Sequence, residues 1–176
     1  MPSTFKELAQ DGVRRETVPA PLGGARRTLC AFEKLNFKSR TQIVVLNAPE
    51  SFEPELAALP GVAVLRDLKG AGDIEFSLAF VIKQKEVDTL AKAIAKKAKG
   101  DAVVWFAYPK GTSKRYKSEI NRDRGWQVLG DAGFEPVRAV AIDEDWSATR
   151  FRRAEFIMTM KRDKHWRMSA AGKARA

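Results

Sequence analysis

Apolar residues along this chain fall into short, continuous runs. Four of these runs are rich in β-branched and aromatic residues and show no alternation with polar ones: 43–46, 62–65, 76–82 and 102–108. Runs of this kind are typical of strands that are buried on both faces of a parallel sheet. Two further strands are predicted at 137–142 and 149–158, where the link DEDWS is short enough to predict an antiparallel hairpin.

Helical patterns lie between the runs. In the clearest of them, apolar residues recur at i, i+3, i+4 and i+7 from Val87 to about Ala98, and Gly100 is expected to cap the helix. Shorter helices are predicted at 52–59 and at 122–132. Because helices alternate with strands, the predicted fold class is α/β: a Rossmann-like three-layer sandwich whose mainly parallel sheet ends in an antiparallel hairpin.

The pattern predicts one Rossmann-like domain, residues 38–158, between two basic ends. Residues 1–37 contain several prolines and a Gly-Gly pair without a sustained period, which predicts a mobile basic extension. Residues 159–176 also lack a period and are predicted to be a basic disordered tail. Since neither end carries an apolar face, we expect the domain to fold without them.

Charge narrows the choice of partners. The chain has a net charge of +10; residues 158–176 carry six Lys and Arg against one Asp, whereas charges over 41–157 are almost balanced. A folded nucleic-acid binder usually has a basic face on its domain. We therefore expect nucleic acid to bind weakly and without sequence preference, through the basic ends.

Composition also indicates the compartment. The longest apolar run, around 102–108, is far shorter than the roughly 20 residues that span a bilayer, and the first 30 residues lack the apolar stretch of a signal peptide. The single cysteine, Cys30, has no partner for an internal disulfide, and the single histidine, His165, has no catalytic partner nearby. We expect a cytoplasmic protein without membrane contact, metal or cofactor; its oligomeric state stays open.

A candidate site lies at the carboxyl ends of the predicted parallel strands, where open α/β sheets bind ligands. The loop PKGTSKRYK combines cations, hydroxyls and a flexible glycine, which suits a small anionic ligand. The predicted anion-binding residues are Lys110, Gly111, Thr112, Ser113, Lys114 and Arg115. The other residues expected in the crevice are Asn47, Lys83, Tyr108, Asp143, Asp145 and Trp146.

Two features at the end of this set have structural interpretations as well. The acidic turn 143–145 is expected to pair with Arg150 or Arg152, because consecutive carboxylates at a strand end point in alternating directions and suit a metal poorly. Trp146 is expected to be a lid over the core, with an exposed stacking platform as the alternative.

Two resemblances rest on these motifs. The stretches FSLAFV, AVVWFAYP and AGFEPVRAVAIDEDWSATRFRR, with the helices between them, resemble the C-terminal half of class I methyltransferases. The glycine-rich cofactor loop of that family is absent, since IVVL runs into NAPESFEP. Separately, FAYPKGTSKRYKSEINRDRGW and AIDEDWSATRFRR are similar to an uncharacterised family of small bacterial proteins, a domain of unknown function, and this resemblance implies no activity.

Three classes of function follow from the sequence. The first is a non-catalytic or regulatory module that binds a small anion or an anionic partner at the sheet-end crevice. The second is a degenerate methyltransferase-like enzyme that transfers a group on an anionic substrate, with Asp143 or Asp145 as base and Lys110 or Lys114 holding the substrate. The third is a weak, non-specific nucleic-acid binder. The sequence leaves open whether the protein is an enzyme.

Overall fold

Six strands form one sheet in the computed structural model, which describes residues 30–175. They are β1 Gln42–Leu46, β2 Ala63–Leu65, β3 Ile74–Phe80, β4 Ala98–Pro109, β5 Phe134–Ala141 and β6 Trp146–Arg153. Their order across the sheet is β2-β1-β3-β4-β6-β5. The first four strands are parallel, and β6 is antiparallel to both of its neighbours. The predicted α/β, Rossmann-like fold class is confirmed.

Helices connect the strands and follow the hairpin. The α-helices are α1 Ala31–Lys34, α2 Glu53–Ala57, α3 Gln84–Lys97, α4 Gln127–Asp131 and α5 Ala170–Ala174, with 3-10 turns at Glu50–Phe52, Ala154–Phe156 and Lys164–Trp166. None of the helices within residues 30–175 is long and apolar enough to cross a membrane.

Two helix boundaries differ from their predicted positions. The helix expected over 122–132 is reduced to α4, because Asn121 Oδ1 accepts hydrogen bonds from the N–H groups of Asp123 and Arg124 and folds those residues into a turn. Helix α3 ends before Gly100: its C-cap is Ala98, whose backbone is already extended at the start of β4.

Apolar side chains cover both faces of the sheet. On one face α3 and α4 pack against the strands, and Ile94, Leu129 and Trp126 are buried there. On the other face α1 and α2 pack over Phe52 and Trp105, which are also buried. These two layers around the sheet complete the predicted three-layer sandwich.

Residues 30–37 belong to the folded core, which differs from the mobile extension predicted for 1–37. Phe32 and Leu35 are buried, and Trp105 Nε1 donates a hydrogen bond to the carbonyl of Leu35 at 2.8 Å. Helix α1 has only four residues, too few to show a period in the sequence. The rest of the predicted extension, residues 1–29, lies outside the described residues.

The chain also remains folded after β6, which differs from the disordered tail predicted for 159–176. The buried carboxylate of Glu135 on β5 accepts hydrogen bonds from the N–H of Met168 at 2.9 Å and from the N–H and hydroxyl of Ser169, each at 2.7 Å. Gly172 packs so closely that a Cβ would lie 2.4 Å from Glu135 Oε1. A buried carboxylate holds this segment, and hydrophobic periodicity does not reveal such an anchor.

Candidate functional site

The loop after β4 and the turn between β5 and β6 meet at the carboxyl end of the parallel strands. Lys110 donates its backbone N–H to the carbonyl of Asp145 at 2.7 Å and its Nζ to the carbonyl of Asp143 at 2.5 Å. Ser113 Oγ donates to Asp145 Oδ1 at 2.8 Å, and Arg115 Nε lies 3.7 Å from Asp145 Oδ2. The basic loop and the acidic turn therefore hold each other in place.

The expected pairing of this turn with Arg150 or Arg152 is wrong. Arg152 instead forms a bidentate ion pair with Asp101, with Nε 2.6 Å from Oδ1. Burial, and then repulsion by Arg152, lowers the pKa of Arg150, whose buried Nε has no hydrogen-bond partner among residues 30–175. Both arginines lie too far along β6: the start of that strand, at Trp146, is beside the turn, whereas Arg150 pairs with Trp105.

Trp146 and Tyr108 are buried at this end of the sheet. The Trp146 ring centroid lies 5.0 Å from those of Phe80 and Tyr116, which agrees with the predicted lid and not with an exposed platform. The Tyr108 hydroxyl lies 3.4 Å from Thr149 Oγ1. These aromatic residues support the surface rather than present reactive groups.

The end of β1, where a methyltransferase cofactor would lie, does not fit such a group. Asn47 has a positive φ of 54°, and its Nδ2 donates to the carbonyl of Phe80 at 3.4 Å. Phe52 is buried just beyond, with its ring centroid 5.0 Å from that of Phe80. Side chains thus fill the place where glycines let a cofactor approach the backbone. Lys83 lies nearby as the N-cap residue of α3.

Side chains that commonly bind metals do not cluster in the part of the chain that the structure describes. It contains no group of three or more His, Cys, Asp and Glu residues that could hold a metal ion.

Three clefts that share lining residues open beside β5, and we call them together the basic cleft. The largest, about 760 Å³, lies between β5 and the segment that follows β6. The second, about 540 Å³, adjoins the loop after β4, and the third, about 390 Å³, reaches Trp166. Arg122 lines all three, and Arg162 and Arg167 line the first and the third.

Positive side chains dominate the lining of the basic cleft. Its cations are Lys110, Arg122, Arg124, Arg138, Arg152, Lys161, Arg162, Arg167 and Lys173. Among the described residues only two carboxylates, Asp123 and Glu135, line it as well. Asp123 lies 3.8 Å from Arg162, and Glu135 accepts its hydrogen bonds from residues 168 and 169. Arg152 is also paired, with Asp101, so two of the nine cations are neutralised and the other seven form no ion pair among residues 30–175.

The predicted site residues fall into two groups, those that line the basic cleft and those that do not. Lys110, Gly111, Thr112 and Tyr108 line the basic cleft, whereas the remaining predicted residues do not. The residues that do not line it are Asn47, Lys83, Ser113, Lys114, Arg115, Asp143, Asp145 and Trp146. Ser113 and Arg115 are bonded to Asp145, and exposed Lys114 extends the positive surface of the loop.

Most of the cations in the cleft were missed by the sequence reasoning. Arg138 and Arg152 belong to predicted strands, and Arg162 and Arg167 fall in the predicted tail. The available signal was the high density of arginine in and after the hairpin. These arginines share a surface only because the segment after β6 folds back on β5.

No protein-family model matches the chain, and no curated protein matches its sequence. The resemblance to a domain of unknown function therefore gains no support. Among solved structures, a magnesium protoporphyrin IX methyltransferase from Synechocystis is 12% identical, with a TM-score of 0.45 over 71% of this chain and 80% of that one.

Two further structures show the same level of likeness. An N-methyltransferase from Bradyrhizobium japonicum is 12% identical, with a TM-score of 0.42 over 68% of this chain and 89% of that one. A SAM-dependent methyltransferase from Corynebacterium glutamicum is 11% identical, with a TM-score of 0.41 over 70% and 86%. All three belong to the class that the C-terminal half of the sequence resembles. Likeness at this level establishes no activity for this chain.

Proposed function

We propose that this protein is a non-catalytic module that binds an anionic partner in the basic cleft. The observation that carries the proposal is that nine cations line the cleft and seven of them form no ion pair among residues 30–175, since only Arg152 and Arg162 are paired, with Asp101 and Asp123. A concave surface with one sign of charge concentrates counter-ions and steers them into contact. Charge-assisted hydrogen bonds from arginine then hold the anion.

Carboxylates at the sheet end favour binding over acid–base chemistry. Asp143 Oδ1 accepts hydrogen bonds from the N–H groups of Asp145 and Trp146 at 2.8 and 2.7 Å. Asp145 Oδ1 accepts from Ser113 at 2.8 Å. A general base must face the proton that it removes, and these two oxygen atoms face the protein's own backbone and loop.

The loop after β4 forms one end of the proposed site. Lys110, Gly111 and Thr112 line it, and the acidic turn acts as a brace for this loop. In this arrangement three of the six anion-binding residues predicted from the sequence contribute to a longer positive surface. They do not form a closed phosphate cradle by themselves.

The test compares two double variants that each remove two positive charges. Arg122→Ala/Arg138→Ala changes exposed residues of the basic cleft, and Lys92→Ala/Lys96→Ala changes the outer face of α3. With inorganic polyphosphate as the probe in calorimetry, we expect the first variant to lose about tenfold or more in affinity and the second to stay within about twofold. Equal losses in both variants, or no binding by the unchanged protein, would overturn the proposal.

The second candidate is a methyltransferase-like enzyme that acts on an anionic substrate. The strand order with a reversed β6 favours it, and the side chains that fill the end of β1 oppose it. Calorimetry with S-adenosylmethionine separates the two candidates. The proposed module should give no binding heat, whereas saturable binding that Asn47→Ala changes would favour the enzyme.

A further inference from the structure

Positive charge in the basic cleft is distributed over all three of its parts. Lys110 lines only the second, Arg122 lines all three, and Lys173 lines only the third. A single small anion is best held by donors that converge on it. Cations distributed over several adjoining clefts suit a chain of phosphates.

An exposed tryptophan lies in the third cleft. Trp166 is 65% exposed and lines the third cleft beside Arg167 and Lys173. Within the described residues the other three tryptophans are buried in the core. Exposed aromatic rings beside cations are the usual platforms on which unpaired bases stack.

A short turn holds the backbone of Trp166 in a defined position. Asp163 Oδ1 accepts the N–H of His165, and the carbonyl of Asp163 accepts the N–H of Trp166, each at 3.0 Å. Arg167 donates from Nε to the carbonyl of Arg162 at 3.2 Å and from a terminal nitrogen to that of Gly172 at 3.0 Å. A backbone that is already ordered leaves less conformational entropy to be lost when a base stacks on its side chain.

Apolar surface is interleaved with the cations of the largest cleft. Val137 is 41% exposed and Met158 is 95% exposed, and both line it together with Pro136. Bare phosphate gains nothing from such surface, whereas the flat faces of nucleobases can cover it. The three features together describe a ligand that is both polyanionic and partly apolar.

We propose that the anionic partner is single-stranded nucleic acid, with its phosphates along the basic cleft and a base stacked on Trp166. This inference rests on the proposed function and names the ligand class of the same site. It also relocates nucleic-acid binding, which the sequence assigned to disordered ends, to a folded surface.

The experiment measures binding of two probes to the full chain: fluorescein-labelled oligothymidylate of about 15 nucleotides and inorganic polyphosphate of matched charge. Oligothymidylate should bind more tightly than polyphosphate and quench tryptophan fluorescence. Trp166→Ala should weaken oligothymidylate binding about tenfold, abolish the quenching and leave polyphosphate binding within about twofold. Trp166→Phe should restore part of the affinity, because phenylalanine keeps a stacking face.

The outcomes separate this inference from the proposed function. If polyphosphate binds through Arg122 and Arg138 while oligothymidylate binds no more tightly and ignores Trp166→Ala, the inference is overturned and the proposed function stands. If neither probe binds, both fail. Stronger Trp166-dependent binding to phosphatidylserine vesicles or to poly-glutamate than to oligothymidylate would assign the cleft to a membrane or to an acidic protein and overturn the inference.

Discussion

Ser113 connects the two sides of the sheet end through three hydrogen bonds. Its Oγ donates to Asp145 and accepts the N–H groups of Arg115 at 3.3 Å and Tyr116 at 3.2 Å. We predict that Ser113→Ala lowers the free energy of unfolding by about 1–2 kcal/mol, because partly buried partners lose their bonds. Urea denaturation measures this. Thr112→Ala, at an exposed neighbour, should change stability by less than about 0.5 kcal/mol, and equal effects would contradict the prediction.

Cys30 gives a pH-dependent prediction. Burial raises the pKa of its thiol, and the hydrogen bond to Glu55 at 3.0 Å raises it further. The thiolate is the reactive form of cysteine, so Glu55→Gln should speed the alkylation of Cys30 by iodoacetamide at about pH 8. This difference in rate should disappear once the pH exceeds the thiol pKa of the variant and of the unchanged protein. Glu33→Gln, which removes only a more distant charge, should have a smaller effect. Equal rates for all three proteins would contradict the interpretation.

The sign of the matching stability effect follows from the raised pKa. The folded protein holds the thiol proton more tightly than the unfolded chain does. The resulting stabilisation is complete below the pKa of the unfolded thiol and is lost as the pH rises through the higher pKa of the folded one.

Among the elements, the segment after β6 depends on close contact with α4. A Cβ added at Gly130 would lie 2.6 Å from Met168 Cβ and 2.9 Å from its backbone carbonyl. Gly130→Ala gains about 1 kcal/mol of helix propensity, but the backbone of Met168 cannot yield without moving the segment. We therefore predict faster hydrogen exchange at 168–175 in this variant.

Gly72→Ala is the matched control for that variant, because a Cβ at Gly72 would have nothing within 4 Å of it. Its exchange at 168–175 should equal that of the unchanged protein. Unchanged protection in Gly130→Ala would show that the segment is held independently of α4.

At the scale of the whole molecule, helix α1 is part of the folded domain. A chain that starts at residue 30 keeps Phe32 and Leu35, whereas one that starts at residue 38 loses both and the partner of Trp105 Nε1. Losing two buried side chains costs several kcal/mol, so we predict a melting temperature lower by roughly 10 °C or more for the shorter chain. Equal melting temperatures for the two chains would show that residues 30–37 add no stability and would support the predicted domain boundary at residue 38.

The distribution of charge over the surface also depends on the whole fold. Counted along the sequence, residues 41–157 are almost neutral, and the surplus lies in residues 1–40 and 158–176. In the fold, Glu135 anchors residues 168 and 169 to β5, so the basic segment and the arginines of the hairpin line one cleft. A local count of charge could not show this.

The sequence by itself determined the presence of six strands and a mainly parallel sheet that ends in an antiparallel hairpin. These features depend on local runs of apolar residues, which report burial within a few positions. Only the tertiary structure decided that α1 and the C-terminal segment join the domain, and which cations share a surface. Those outcomes rest on single contacts between distant residues, such as Trp105 with Leu35 and Glu135 with Ser169, and such contacts leave no periodic trace in the chain.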